Sequence, residues 1–291
     1  MGGAWLQFVA SGLTAGAIYA LIALGFSIIY NTCHAINFAQ GEFVMVGGMS
    51  AVSFVAMGLP LIVAVPLAVA AAMIVGLLVE RLAIEPAHGN DVVTLIIVTI
   101  GVSLFLRGLA QVVWGKGIHA LPTFSGAQAI SFFGATIVPQ SLWVVGGTVV
   151  AVVALGLFFN RTLFGKAMQA TAQNTLAARL MGIDTRVIMR VSFALAALLG
   201  ALGGVLTAPI TLTSAEIGVM LGLKGFAAAM LGGLGSFVGA VAGGLLLGLI
   251  EALGAGFLSS AYKDVIAFVM ILVVLFFLPT GLVGARSGDR V

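Results

Sequence analysis

Asn31, His34, Asn37, Gln40 and Glu42 stand close together in YNTCHAINFAQGEF, between two long apolar runs. Three amides, an imidazole and a carboxylate could hydrogen-bond a polar solute, and each one inside a membrane needs a partner or a wet cavity. If the stretch is helical, Asn37, Gln40 and Gly41 share a face. It reads either as the polar lining of a translocation path, with a broken helix near its mouth, or as an interfacial turn whose polar groups are simply hydrated. Thr99 and Ser103 are further pathway candidates, although hydroxyls in a span, Thr94 among them, usually bond back to their own helix carbonyls. Glu251 interrupts GGLLLGLIEALG, where a hydrogen bond to a neighbouring helix is favoured over a proton relay.

Other chemistries find no support in the residue pattern. The lone Cys33 excludes an internal disulfide, and His34, His88 and His119 share no metal-ligand spacing, so no metal site is expected. No phosphate loop occurs, since GKGI at 115 and FGKAM at 164 lack the preceding glycine and the following hydroxyl. An arginine row for voltage sensing, a TVGYG filter and paired intramembrane carboxylates are missing as well. An intramembrane enzyme would need a convergent Ser/His, paired Asp or His/Glu set, and none is present. A membrane scaffold whose energy source lies elsewhere fits what remains.

The elements that must position these residues are membrane helices. The chain is 62% hydrophobic and 7% charged with a mean hydropathy of +1.25, against roughly 25% charged residues in soluble domains. A net charge of +3 then orients helices at membrane borders and does not signal nucleic acid. The opening MGGAWLQFVASGL lacks a basic region and a small-residue cleavage site, so the first apolar run is expected to be a retained span. Runs near 7–30, 38–58, 60–80, 92–114, 138–159, 188–210, 218–253 and 262–279 are each long enough to span or nearly so. The expectation is an all-α polytopic protein, a bundle of about eight transmembrane helices forming a single permease domain over 1–291. Around 218–235, Glu216, Lys224 and the glycines Gly232, Gly233 and Gly235 predict a broken or re-entrant segment: a half-helix near 218–232, then a full span from about 236 to 253.

Small residues four apart predict close helix packing at Gly12 and Gly16, at Gly200 and Gly204, and along Gly235, Gly239 and Gly243, with a subunit interface as the lesser alternative. One stretch looks like a soluble surface: FNRTLFGKAMQATAQNTLAARLMGIDTRVIMR, 159–190. It carries Arg161, Lys166, Arg179, Arg186 and Arg190 against Asp184 alone, which places it in the cytoplasm and the N-terminus outside. Arg286 and Arg290 in the tail favour the cytoplasm too, which conflicts with a strict count of eight spans.

The run GLTAGAIYALIALGFSIIYNTCHAINFAQGEFVMVGGM (12–49) closely resembles the opening of the LivH-type permeases of bacterial branched-chain amino acid ABC importers. Three more blocks agree in order: RTLFGKAMQATAQNTLAARLMGID (161–184), GLKGFAAAMLGGLGSFVGAVAGGLLLGLIE (222–251) and LPTGLVG (278–284). Typical members read NFAHGE where this chain has Gln40, and a more basic stretch in place of EPAHGND. The resemblance implies a multi-pass subunit of the bacterial inner membrane that is not itself an enzyme. It implies a second, LivM-like permease, two cytoplasmic ATPase subunits that hold the ATP and magnesium, and a periplasmic binding protein that delivers the substrate. It also implies that the loop at about 160–187 couples to an ATPase through Gly165, Ala170, Ala172, Asn174, Ala177, Ala178, Met181, Gly182 and Ile183. Arg161, Lys166 and Arg179 would then be rim contacts or lipid anchors. The implied cargo is a branched-chain amino acid; urea or a short amide carried by the same importer type, or a stand-alone channel, stay open.

Overall fold

The computed structural model describes residues 2–87, 91–126, 128–132, 135–257, 263–277 and 281–283. Two long helices form its centre. Helix α1 (Gly2–Cys33) and α9 (Thr185–Thr211) run antiparallel, with Gly25 near the Ala196 carbonyl and Gly203 against Leu21 and Ile22. Their spans are 89% and 72% buried, against 17% for the outer helix Val92–Trp114, so they are the core and the others its walls.

Each central helix ends in the same way. After α1 the chain breaks at His34 (φ 52°), and after α9 at Leu212 (φ 64°), both in the left-handed region that side chains seldom adopt. A short extended link then leads back into a shorter helix, α2 (Gln40–Ala56) or α10 (Ile217–Gly232). Helix α2 runs parallel to α9, with Gly200 on Phe43 and Gly204 on Val44, while α10 runs parallel to α1, with Gly225 on Ile22 and Gly235 beside Asn31. Next in order come α3 (Leu61–Val79) against α9 and α11 (Phe237–Phe257) against α1. The chain thus uses one arrangement twice, in opposite senses, a pattern that membrane transporters use to frame a central site.

Helix α3 continues through a π turn (Glu80–Ile84) into α4 (Glu85–Ala87); α5 (Val92–Trp114), α6 (Pro139–Arg161) and α12 (Lys263–Phe277) complete the walls. Between α6 and α9 lie α7 (Leu163–Gln173) and α8 (Thr175–Leu180), and a small hairpin of β1 (Ile130–Phe132) and β2 (Ala135–Ile137) precedes α6. Six of the described helices are long and apolar enough to cross a membrane, and α2, α10 and α12 are shorter. The molecule is an all-α polytopic membrane protein, and the half-helix expected near 218–232 is α10.

Contacts sort the two ends. At one end the Gln7 side chain meets the hairpin at Thr136, and His119 pairs with Thr213. At the other lie Asn31, Gly235, α7, α8 and the Arg190 pairs with Glu80 and Glu85. Residues 282 and 283 donate backbone hydrogen bonds to Leu231 and Gly232, so the chain reaches 283 at that second end. The conflict between the two charge cues disappears, because the stretch 211–253 holds two oppositely directed helices, α10 and most of α11. Arg286, Arg290 and His88 lie outside the described residues.

Gly235 departs from the expected ladder, since it lies in the turn before α11 (φ 86°) against the Asn31 side chain, but the other packing glycines sit where helices meet closely. Gly12 and Gly16 abut α11 at Leu249 and Leu245, and Gly239 and Gly243 abut α10 at Gly232 and Ala228. Without the contact area of larger side chains, such close approach gives dispersion and allows helices to interlock in lipid. Charge adds a second fastening: Lys224 on α10 meets Glu251 on α11 at 2.9 Å and Asp264 on α12 at 2.7 Å, and Tyr19 on α1 donates to the same glutamate at 2.9 Å. Glu251 therefore ties α11 to α1 and α10, as the hydrogen-bond reading of its sequence position expects, and Lys224 extends the tie to α12.

Candidate functional site

The first turns of α2 and α10 meet near the middle of the bundle. Gly41 and Gly218 touch backbone to backbone, with no room for a Cβ on either. Beside this crossing a cavity opens to the surface of the chain, walled by Phe26 of α1, Phe38 of the link, Glu42 of α2, Ile100, Ser103, Leu104 and Arg107 of α5, and Gly218 to Phe226 of α10. Ser103 and Arg107 lie one turn apart on α5 and so present one face to Glu42.

Three polar groups converge there. Ser103 Oγ donates to Glu42 Oε1 at 2.7 Å, and Arg107 Nη2 donates to the same oxygen at 3.0 Å and to Ser103 Oγ at 3.3 Å. Glu42 is 1% exposed and Arg107 25%, so the acid is enclosed and the base faces the cavity. Glu42 sits in the first turn of α2, where the helix dipole favours a carboxylate. Glu42 Oε2 and Arg107 Nε are buried and have no hydrogen-bond partner among the described residues.

The five pathway candidates divide. Glu42 and Ser103 line the cavity. Asn37 accepts from the Ala39 amide at 3.1 Å and Thr99 accepts from the Phe38 amide at 3.2 Å, so both shape the link from α1 to α2. Gln40 is wedged between α1 and α9, its amide donating to the Ala196 carbonyl at 2.9 Å, and does not border the cavity. The hydrated-turn reading fails for Asn37, Gln40 and Glu42, which are all buried, while His34 is exposed and Asn31 half-buried. Reading the sequence missed Arg107. The available signal was its position as the one cation within the apolar run 92–114, four residues after Ser103.

The loop at the other end is built from local caps. Thr162 caps α7 by accepting from the Gly165 amide, Asn174 caps α8 through Ala177, and Asp184 caps α9 through Arg186. Gly182 (φ 85°) ends α8, with the Ile183 amide bonded to the Ala178 carbonyl. Gly165 is packed on the Phe158 and Phe159 backbone, and Ala178 is buried. Ala170, Ala172 and Ile183 are half-buried, while Asn174, Ala177, Met181 and Gly182 face outward. Leu176, Leu180 and Met181 are 69%, 81% and 83% exposed, an apolar set on a segment that also carries exposed Arg179 and Arg186. Of the loop's cations, Arg190 pairs with Glu80 and Glu85 and Arg179 bonds Thr185, so these two fasten the loop as well.

A polytopic helical bundle with a broken-helix crossing, a charged cavity beside it and an apolar loop at one end is the architecture of a multi-pass membrane protein. Comparison with known proteins narrows the class. The family described as "Branched-chain amino acid transport system / permease component" matches residues 8–275. The permease protein LivH of the high-affinity branched-chain amino acid transport system of Escherichia coli K12 is 35% identical over 99% of this chain and 98% of its own length. The corresponding BraD of Pseudomonas aeruginosa is 35% identical over the same shares. The autoinducer 2 import system permease LsrC of Escherichia coli O9:H4 is 31% identical, but over 62% of this chain and 54% of its own. The chain belongs to the branched-chain amino acid transport permease family of ABC importers, and is a multi-pass inner-membrane transport subunit.

Proposed function

We propose that this chain is the permease subunit through which branched-chain amino acids, handed over by a periplasmic binding protein, cross the membrane. The observation that carries the reading is the cavity at the meeting of α2 and α10, where a buried carboxylate and a guanidinium face apolar walls. The cavity opens on the flank of the chain, and a second, LivM-like permease would close it from the other side. ATP and magnesium belong to two separate cytoplasmic ATPase subunits, and this chain performs no chemistry. Switching of access follows from ATPase closure pulling on the loop 160–187 of a single permease domain over 1–291. The translocation path runs past Glu42 and Ser103, with Asn37, Thr99 and Gln40 holding the broken helix in place.

Within the loop, the docking face is the exposed set Leu176, Ala177, Leu180, Met181 and Gly182 around Asn174. Gly165, Ala170, Ala172, Ala178 and Ile183 give that face its shape. Exposed apolar patches of this kind mark protein interfaces. Co-expression with the ATPase subunits tests the assignment: they co-purify with the native chain, and Leu180→Asp or Gly182→Asp lowers their retention or uncouples their hydrolysis from uptake. Undiminished retention and coupling in both variants would sink it.

A further inference from the structure

The cavity also points to the chemical form of its cargo. Glu42 and Arg107 meet at a single point, Nη2 on Oε1, although arginine and carboxylate commonly pair through two parallel bonds. The one-point contact leaves a free acceptor, Glu42 Oε2, on an acid that is 1% exposed, and a free donor, Arg107 Nε, on its partner. Unsatisfied buried charge is costly, so both atoms, which have almost no accessible surface while the pair is closed, gain partners when a ligand that brings the complementary groups parts the pair. Around them the walls are apolar: Phe26, Phe38 and Phe226, with Ile100, Leu104 and Leu223.

We infer that Glu42 and Arg107 bind the zwitterionic head of the passing amino acid, Arg107 taking its α-carboxylate and Glu42 Oε2 its α-ammonium. The aliphatic side chain lies against the three phenylalanines. This rests on the transport reading above and deepens it. A free amino acid carries two opposite charges that lose their hydration in a membrane cavity, and a pre-formed ion pair compensates both together. Binding loosens the pair's own contact, so the net affinity is small, as a site on a conduction path requires. Urea or a neutral amide has no charges to match the two spare atoms.

The test uses the assembled transporter in proteoliposomes, with its permease partner, ATPases and binding protein, and follows leucine and valine uptake. Val219→Phe fills the cavity wall. It is expected to lower the leucine-to-valine rate ratio by about tenfold, at the low end of what one methylene is worth in a fitted pocket. Glu42→Gln, which removes the charge facing the ammonium, is expected to lower both rates by about tenfold. An unchanged ratio in Val219→Phe, or native rates in Glu42→Gln, overturns the inference; if Glu42→Gln fails to assemble, the ratio in Val219→Phe decides alone. Absence of leucine uptake by the native complex is a different result, because it defeats the transport reading and not the assignment of the head group.

Discussion

At the scale of single residues, the energetics centre on the Glu42–Arg107 pair. Its worth lies less in attraction than in the penalty for separating it, because a carboxylate that is 1% exposed has no water to fall back on. Arg107→Ala is expected to destabilise the purified protein by about 3–5 kcal/mol, read as a lower thermal midpoint in detergent. Combining it with Glu42→Leu should return part of that loss, since no charge is then stranded; an additive double variant would argue that the pair is not a buried unit. Glu42 and Ser103 are legible in the sequence because a carboxylate or hydroxyl beside an apolar run demands a partner. Asn37 and Gln40 are legible as polar but not as structural, because the amide that caps a link and the amide that lines a path look alike in one dimension. Glu251 shows the converse, its partner Lys224 being recognisable only as a second interruption 27 positions away.

At the scale of elements, the two broken helices set the geometry. The contact of Gly41 with Gly218 brings the first turns of α2 and α10 together. Gly41→Val should therefore abolish folding or recovery of the protein from membranes, while Gly101→Ala, in open space on α5, should be tolerated; equal yields would show that the crossing is not close-packed. The half-helix α10 was visible in the sequence through Glu216 before it and the glycines that end it, although the break itself falls at Leu212. The first was visible only as a polar cluster, since His34 breaks α1 by its backbone angle and no glycine or proline announces it. The span boundaries followed from hydrophobic length, which is strict in a membrane, whereas the pairing of helices depends on contacts between small residues that occur throughout a glycine-rich chain. In the loop, Asn174 and Gly182 are residue types suited to start and end a helix, as they do for α8, but which alanines face outward depends on how α7 lies on α6 and α9.

At the scale of the whole molecule, sidedness and partnership decide the function. The shared end of the loop 160–187, Asn31 and residues 281–283 makes a sidedness claim: with Cys33 replaced by Ser, a cysteine at Asn174 should react with a membrane-impermeant maleimide only from the cytoplasmic face. Labelling from outside would invert the topology. The family's cargo and its dependence on ATPases cannot be read from spans alone, because a bundle of apolar helices looks the same whatever drives it; the four matching sequence blocks carried that part. The central claim is ATP-driven passage of branched-chain amino acids, and it is tested most directly by leucine uptake into proteoliposomes holding the full complex. Uptake that requires both ATP inside the lumen-facing ATPases and the loaded binding protein is the predicted result. Leucine flux through this chain without ATPase subunits, or none with all of them present, would contradict it.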